Sequence, residues 1–408
     1  MKNLYTEASS KLLSLRNAVS CILRELPVNV EQPRDVYRTL DIDRMLGWKI
    51  FRLYELEDIF LGAQYIPRKS AFSSFLEAAS SRGVPDDLIA DARRAFDEFT
   101  TLVDVHAGDR SNLELMLMAF SQDGLQQAYT EQQRAAFQAN RFLYGIEARV
   151  MLYTLFLSPA PDPKYLDVTH IKGFIDLRRN RPNVQWLYEH PLTLKRSGRI
   201  ESPDVDIPLV KESELPGNGS IPWYPEFCSC EFPDVEKSSD TVDYLKEIFP
   251  DSSGNAALMT LVFANYYLTE NRFAFAPREG TSIKIGTPVE LLVMDMFIDR
   301  NLFPCQPDLV VKVFTDTYFR GGPMIPGFDR SDRERLPTGA EVRYMGTGIK
   351  ASYLHEVRRY EEMLRDAFAR RELDHSEYDL YRVKMEYPVV PSTVAVVWDL
   401  EENRPVME

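Results

Sequence analysis

Residues 32–54 read QPRDVYRTLDIDRMLGWKIFRLY, and that spacing allows few local folds. Pro33 suits a first helical turn, where a missing N–H has no intrahelical partner to lose. Val36, Tyr37 and Leu40 then share one helical face. Asp41 interrupts the pattern, and Asp43 is placed to cap a second helix beginning at Arg44. On this second helix Leu46, Ile50 and Leu53 fall at i, i+4 and i+7 and are expected to point inward. Arg44, Trp48 and Arg52 fall at i, i+4 and i+8 as a separate stripe, with Lys49 beside it. The expected unit is two short helices joined by a tight turn. A preceding helix carrying Leu12, Leu15, Val19, Ile22 and Leu26 would cover its back, and Pro27 would stop that helix.

In spacing, residues 32–53 resemble the N-terminal helix-turn-helix of bacterial regulators. Tyr37 or Arg38 stands where such helices carry a small residue, and Asp41 where their turn carries glycine. The resemblance implies that the second helix lies in a DNA major groove with its exposed side chains on the base edges. Arginine suits that task because its fork can donate two hydrogen bonds to guanine. It thus implies DNA as partner, Arg44, Trp48, Lys49 and Arg52 as contacts, and a homodimer matching a two-fold operator. The opposing reading is a plain helical core with a solvated charged face, since Asp35, Asp41 and Asp43 dilute the positive charge. The chain as a whole is similar to a bacterial protein type of mixed helical and β organisation.

At 408 residues the chain is long enough for two or three domains. Its 44% hydrophobic and 27% charged residues describe a well-supplied core under a polar surface. A net charge of −14 argues against nucleic-acid binding over the whole surface, while leaving room for a local basic face. No window reaches the apolar length of a membrane span, and the first residues lack a secretory signal. Cys21, Cys228, Cys230 and Cys305 are few and scattered, which suits a reducing cytoplasm.

Along the chain, helices are expected through the first 157 residues, including a long one over 131–157. The run SPAPDPK at 158–164 reads as the main domain boundary. Beyond it the character becomes β-rich. A hairpin is expected at 192–201, irregular chain over 203–233, and a short helix at 241–249. Strands are expected at 282–286, 289–298 and 309–315, then loop over 321–348. An amphipathic helix over 351–372 and strands at 380–387 and 393–400 close the chain. The expected class is α+β: a helical region divided at about residue 60 into a helix-turn-helix-like unit and a helical domain, then a mixed or antiparallel sheet domain over 165–408.

Chemistry-bearing motifs are sparse. No phosphate loop, nucleophile elbow or complete dinucleotide fingerprint is present. Gly346, Gly348 and Ala351 fit only the looser dinucleotide form, better explained as a helix-entry turn. His355-Glu356 opens like a zinc-protease motif, but Arg359 stands where the second histidine is needed. Asp104, His106, Asp109 and Arg110 cluster around Gly108, where helix capping by Asp109 or Ser111 explains them better than a metal. Cys228 and Cys230 lack further zinc ligands nearby. Arg330, Arg333 and Arg335 lie in a mixed-charge run that reads first as a solvated loop, with a phosphate contact as the alternative. Asp295 and Asp299 are a carboxylate pair of the kind an enzyme leaves with little trace. No catalytic residue, metal or cofactor is therefore assigned. The sequence favours a cytoplasmic DNA-binding transcriptional regulator whose C-terminal domain senses a small-molecule effector or oligomerises. A non-catalytic assembly protein, such as a scaffold or an antiviral or phage-related component, and an enzyme of another class are the alternatives.

Overall fold

A computed structural model describes residues 4–162, 165–181, 184, 186–189, 207–211, 215, 222–230, 235–236, 244–247, 258–270, 278–303, 306–315, 335–336 and 338–399. The fold is α+β, with helices first and a mixed sheet after them. The chain divides into compact units over 1–129 and 130–408. None of the described helices is long and apolar enough to cross a membrane.

The helical unit is built from α1 (Leu4–Arg24), α2 (Pro33–Leu40), α3 (Arg44–Glu55), α4 (Ile59–Gly62), α5 (Lys69–Ser81), α6 (Asp86–Leu102) and α7 (Arg110–Met118). The next helix, α8 (Gln122–Tyr144), runs through the division between the units. Leu12, Leu15, Val19 and Ile22 of α1 are buried, as their spacing predicts, and α1 packs against both α3 and α6. One apolar core runs from Ala8 to Leu117, so the expected division near residue 60 does not interrupt it. Phe72 of α5 and Phe96 of α6 stack within that core at a ring-centre distance of 4.4 Å.

The sheet unit corrects the expected long helix over 131–157. Gly145 has φ of +69°, a conformation that ends a helix readily in glycine, and its N–H bonds the Arg141 carbonyl at 3.1 Å. The chain leaves as β1 (Ile146–Pro159), whose antiparallel neighbour is the next strand, β2 (Tyr165–Arg179). The proline-rich run expected as a domain boundary therefore falls between two paired strands of one sheet: Ser158 lies opposite Asp167, and Pro159 opposite Leu166.

The remaining strands are β3 (Trp186–Glu189), β4 (Ile207–Pro208), β5 (Val235–Glu236), β6 (Tyr244–Glu247), β7 (Met259–Glu270), β8 (Arg278–Ile285), β9 (Val289–Asp299), β10 (Leu309–Thr315), β11 (Arg343–Thr347), β12 (Tyr378–Glu386) and β13 (Ser392–Asp399). Seven form a sheet in the order β11-β12-β9-β1-β2-β7-β4. Its β1–β9 pair is parallel and its other pairs are antiparallel, so the sheet is mixed. A second sheet runs β10-β13-β8, and a small third one β3-β6-β5.

Helix α9 (Tyr360–Arg370) covers one face of the large sheet. Its Phe368 ring meets Phe156 of β1 and Phe297 of β9 edge to face, at 4.7 and 5.3 Å. On the opposite face, the Tyr153 hydroxyl of β1 reaches Thr281 Oγ1 of β8 at 3.1 Å. The sheet is thus buried on both sides near β1.

Three further expectations change. Tyr244–Glu247, inside the segment expected as a short helix, is strand β6 paired to β3 and β5. Arg343–Thr347, expected as loop, is the edge strand β11. The helix expected over 351–372 begins only at Tyr360, because Arg359 takes a left-handed conformation with φ of 58°. Residues 349–352 form a separate 3-10 turn. The hairpin expected at 192–201 and most of the 203–233 segment lie outside the described residues, while Ile207 and Pro208 pair with β7.

Candidate nucleic-acid interface

The pair α2–α3 closes on itself through its own caps. The Asp35 carboxylate accepts from the Gln32 backbone N–H at 2.8 Å, tying down the start of α2 behind Pro33. At its far end Asp41 has φ of 54°, the left-handed region that aspartate tolerates better than most residues. Asp41 therefore fills the place where the resembled motif carries glycine. Asp43 Oδ1 accepts from the N–H groups of Met45 and Leu46, at 2.9 and 3.1 Å, and starts α3 where the sequence predicts. Arg16 of α1 donates to the carbonyls of Leu56 and Glu57 at 3.0 Å, holding the chain just past the C-terminal end of α3. Asp43→Ala is expected to lower the stability of the helical unit by about 1 kcal/mol, with Asp43→Asn retaining most of it. Urea denaturation of the three proteins checks this.

The small residue that lets the helices approach is on the second helix. A Cβ on Gly47 would lie 2.5 Å from the Tyr37 Cβ and 3.0 Å from the Tyr37 Cα, closer than real Cβ atoms come. Gly47 thus accepts the bulk of Tyr37 against its backbone. Helical spacing alone singles out Tyr37 and does not reveal that Gly47 lies against it. The available signal is a glycine inside an otherwise regular helical pattern.

The outward face of α3 carries the four expected contacts. Arg44 is exposed, Trp48 is 38% exposed, and Lys49 and Arg52 are half-buried. Among the described residues, Arg44 and Lys49 form no ion pair. Arg52 differs. It is paired to Glu55 at 2.6 Å, and its guanidinium lies 5.5 Å from the centre of the Tyr65 ring. The Trp48 indole meets the same Tyr65 ring edge to face at 5.2 Å. The stripe is therefore two open cations around an indole, with a third cation committed to local partners.

The other sequence candidates go to structural work. His106 Nε2 meets Glu7 of α1 at 3.2 Å, while Asp109 caps α7 by accepting from the Asn112 N–H at 2.9 Å. Arg110 donates to the Ile66 and Pro67 carbonyls and to Glu114. Among the described residues no three His, Cys, Asp or Glu side chains converge as a metal site. The Cys228 thiol accepts from the Val262 N–H at 3.2 Å, and burial pushes it up to about 12, so it stays protonated. Gly346 and Gly348 carry positive φ at the end of β11 and lead into the 3-10 turn. His355 sits outside any helix, beside Glu356 at 3.2 Å. Arg335 donates to the Val311 carbonyl at 3.3 Å, whereas Arg330 and Arg333 lie outside the described residues.

Asp295 and Asp299 are both buried, yet they do separate jobs. Asp295 is held by Arg382 and Tyr360, at 2.7 Å in each case. Burial and the Asp295 charge keep the Tyr360 hydroxyl well above the ordinary tyrosine range. Asp299 accepts from the Asn301 N–H at 2.8 Å and shapes the turn after β9. A second polar group is not visible as a set in the sequence. His170 Nδ1 meets the Tyr153 hydroxyl at 2.7 Å, and its Nε2 meets that of Tyr267 at 2.8 Å. Two of its members come from the neighbouring strands β1 and β2, but Tyr267 of β7 lies 97 residues beyond His170.

No protein-family model matches this chain. No curated protein matches it either. Among solved structures it is similar to the yeast delta-COP-I mu-homology domain complexed with Dsl1 WxWxV peptide. That match has 12% identity over 62% of this chain and 74% of that chain, with a TM-score of 0.14. A likeness so slight carries no argument about fold or function.

Proposed function

We propose that this chain is a DNA-binding regulator that contacts DNA through the outward face of α3. The observation that supports it most is the pair of open cations, Arg44 and Lys49, on a helix capped and cradled as the second helix of a helix-turn-helix. Arginine and lysine without acidic partners have their donors open to phosphate or guanine. In this reading the protein acts in the cytoplasm as a homodimer, and its sheet unit senses a small-molecule effector or holds a partner.

The test is selection of genomic duplex fragments by the purified full chain at low salt. Arg44→Ala with Lys49→Ala is expected to weaken retention of those fragments. It should also reduce the dependence of log affinity on log salt by about one to two, because each lost phosphate contact removes about 0.9 from that slope. Circular dichroism should show both proteins equally folded. Failure of the unaltered chain to retain any DNA overturns the proposal.

A second reading, a non-catalytic assembly protein, draws support from the apolar side chains of Val105, Leu115 and Met116, all exposed on the helical unit. A stable complex with another protein, free of DNA and lost on charging Leu115, would favour it.

A further inference from the structure

The composition of the α3 face points to a particular form of nucleic acid, and this inference rests on the DNA-binding reading above. A duplex docked on a helix-turn-helix approaches the N-terminal end of the second helix, where free N–H groups favour phosphate. Here that end is already occupied. Asp43 takes the Met45 and Leu46 N–H groups, so these are not free to receive a phosphate.

The favourable charge begins one residue later and surrounds an aromatic ring. Arg44 lies one turn before Trp48 and Lys49 lies beside it, while Arg52, one turn after, is paired to Glu55. The indole is 38% exposed and meets the Tyr65 ring at 5.2 Å and nearly at right angles, a contact that restrains it before anything binds. A supported indole among cations is the arrangement on which an unpaired base stacks while its phosphates meet positive charge. A base inside a duplex offers only its edge, which an indole reads poorly.

We infer that this face prefers single-stranded DNA, with one unpaired base stacked on Trp48 and the neighbouring phosphates at Arg44 and Lys49. Duplex DNA binds the same face more weakly, through the cations alone.

Fluorescence anisotropy with the full chain at low salt tests this, using a labelled oligothymidylate, a duplex of equal length and an oligouridylate. The oligothymidylate is expected to bind most tightly. Trp48→Ala should weaken that binding about 5- to 150-fold, the effect of losing one base-stacking partner. Trp48→Phe should recover most of the loss, which a general loss of folding would not allow. Duplex binding as tight as that of the oligothymidylate, or an unchanged affinity in Trp48→Ala, overturns the inference. So does tighter binding of the oligouridylate, which would assign the site to RNA. If the duplex binds and the single strands do not, only this inference falls. If no probe binds, the DNA-binding reading falls with it.

Discussion

Replacing Asp295 by alanine is expected to destabilise the sheet unit by about 3–5 kcal/mol, a large share of the stability of an ordinary domain. Thr154, Asp295 and Arg382 lie opposite one another on β1, β9 and β12, so three adjacent strands contribute to one row. Asp295 Oδ1 accepts from Arg382 Nε, and its Oδ2 accepts from Arg382 Nη2 and the Tyr360 hydroxyl, each at 2.7 Å. Arg382 also donates to the carbonyls of Ser352 and Tyr353, at 2.9 and 2.8 Å. Asp295 is 0% exposed and Arg382 is 4% exposed, so water cannot replace a missing carboxylate without opening the core.

The alanine variant leaves the guanidinium with two carbonyls and only the more distant charge of Glu356, and that under-compensated charge supplies most of the cost. Asp295→Asn keeps the shape and some of the hydrogen bonding, so its effect should be smaller. Changing both partners, Asp295→Leu with Arg382→Met, should cost less than Asp295→Ala alone, since the desolvation of both ions disappears with them. Urea unfolding followed by near-ultraviolet circular dichroism of the buried Trp223 and Trp398 measures all three. A loss below about 1 kcal/mol in Asp295→Ala would mean that the ion pair is not what holds this row. The same geometry bears on the enzyme alternative. Four positions apart on one strand, Asp295 and Asp299 are separated by about 13 Å, and each is already engaged.

What the sequence made legible follows from how local each signal is. Asp43 caps the helix that begins one residue later, so a few residues suffice to read it. The β-branched runs of β9, β10 and β13 stand out in the same way. Strand β1 does not, because both of its faces are buried and the alternation that marks a half-exposed strand is lost. Its Leu, Met and Phe residues then continue the pattern of α8, and only Gly145 marks the change. The parallel pairing of β1 with β9 joins segments some 140 residues apart, and Asp295 finds Arg382 87 residues away. No window of sequence contains such pairs. On the candidate interface, the positions of Arg44, Trp48 and Lys49 on the outer face were legible from helical periodicity. The commitment of Arg52 to Glu55 and Tyr65 was only half so, since Glu55 is its i+3 neighbour while Tyr65 arrives from the following turn.

Gly47→Val is expected to cost the helical unit about 3 kcal/mol, at the upper end of the range for overpacking a closed contact. Two effects oppose each other. Glycine inside a helix is unfavourable by about 1 kcal/mol relative to alanine, so any side chain would help α3 on its own. Against this, the nearest obstacle to a new Cβ is the Tyr37 Cβ at 2.5 Å, followed by the Tyr37 Cα and N at 3.0 and 3.1 Å. None of these is the movable end of a side chain, so α2 as a whole must shift, and Val36 and Leu40 must leave the positions they hold in the core. The clash therefore wins, more modestly in Gly47→Ala and fully in Gly47→Val. Tyr37→Ala should give no rescue, because it keeps the offending Cβ, whereas Tyr37→Gly removes it. In a double-mutant cycle the Gly47→Ala and Tyr37→Gly changes should cost less together than the sum of their separate effects. Additive costs would show that the two helices do not meet at this point. On the proposed function, a shifted α2 also tilts α3, so Gly47→Val should weaken DNA retention even below its melting temperature, while leaving Arg44, Trp48 and Lys49 chemically intact.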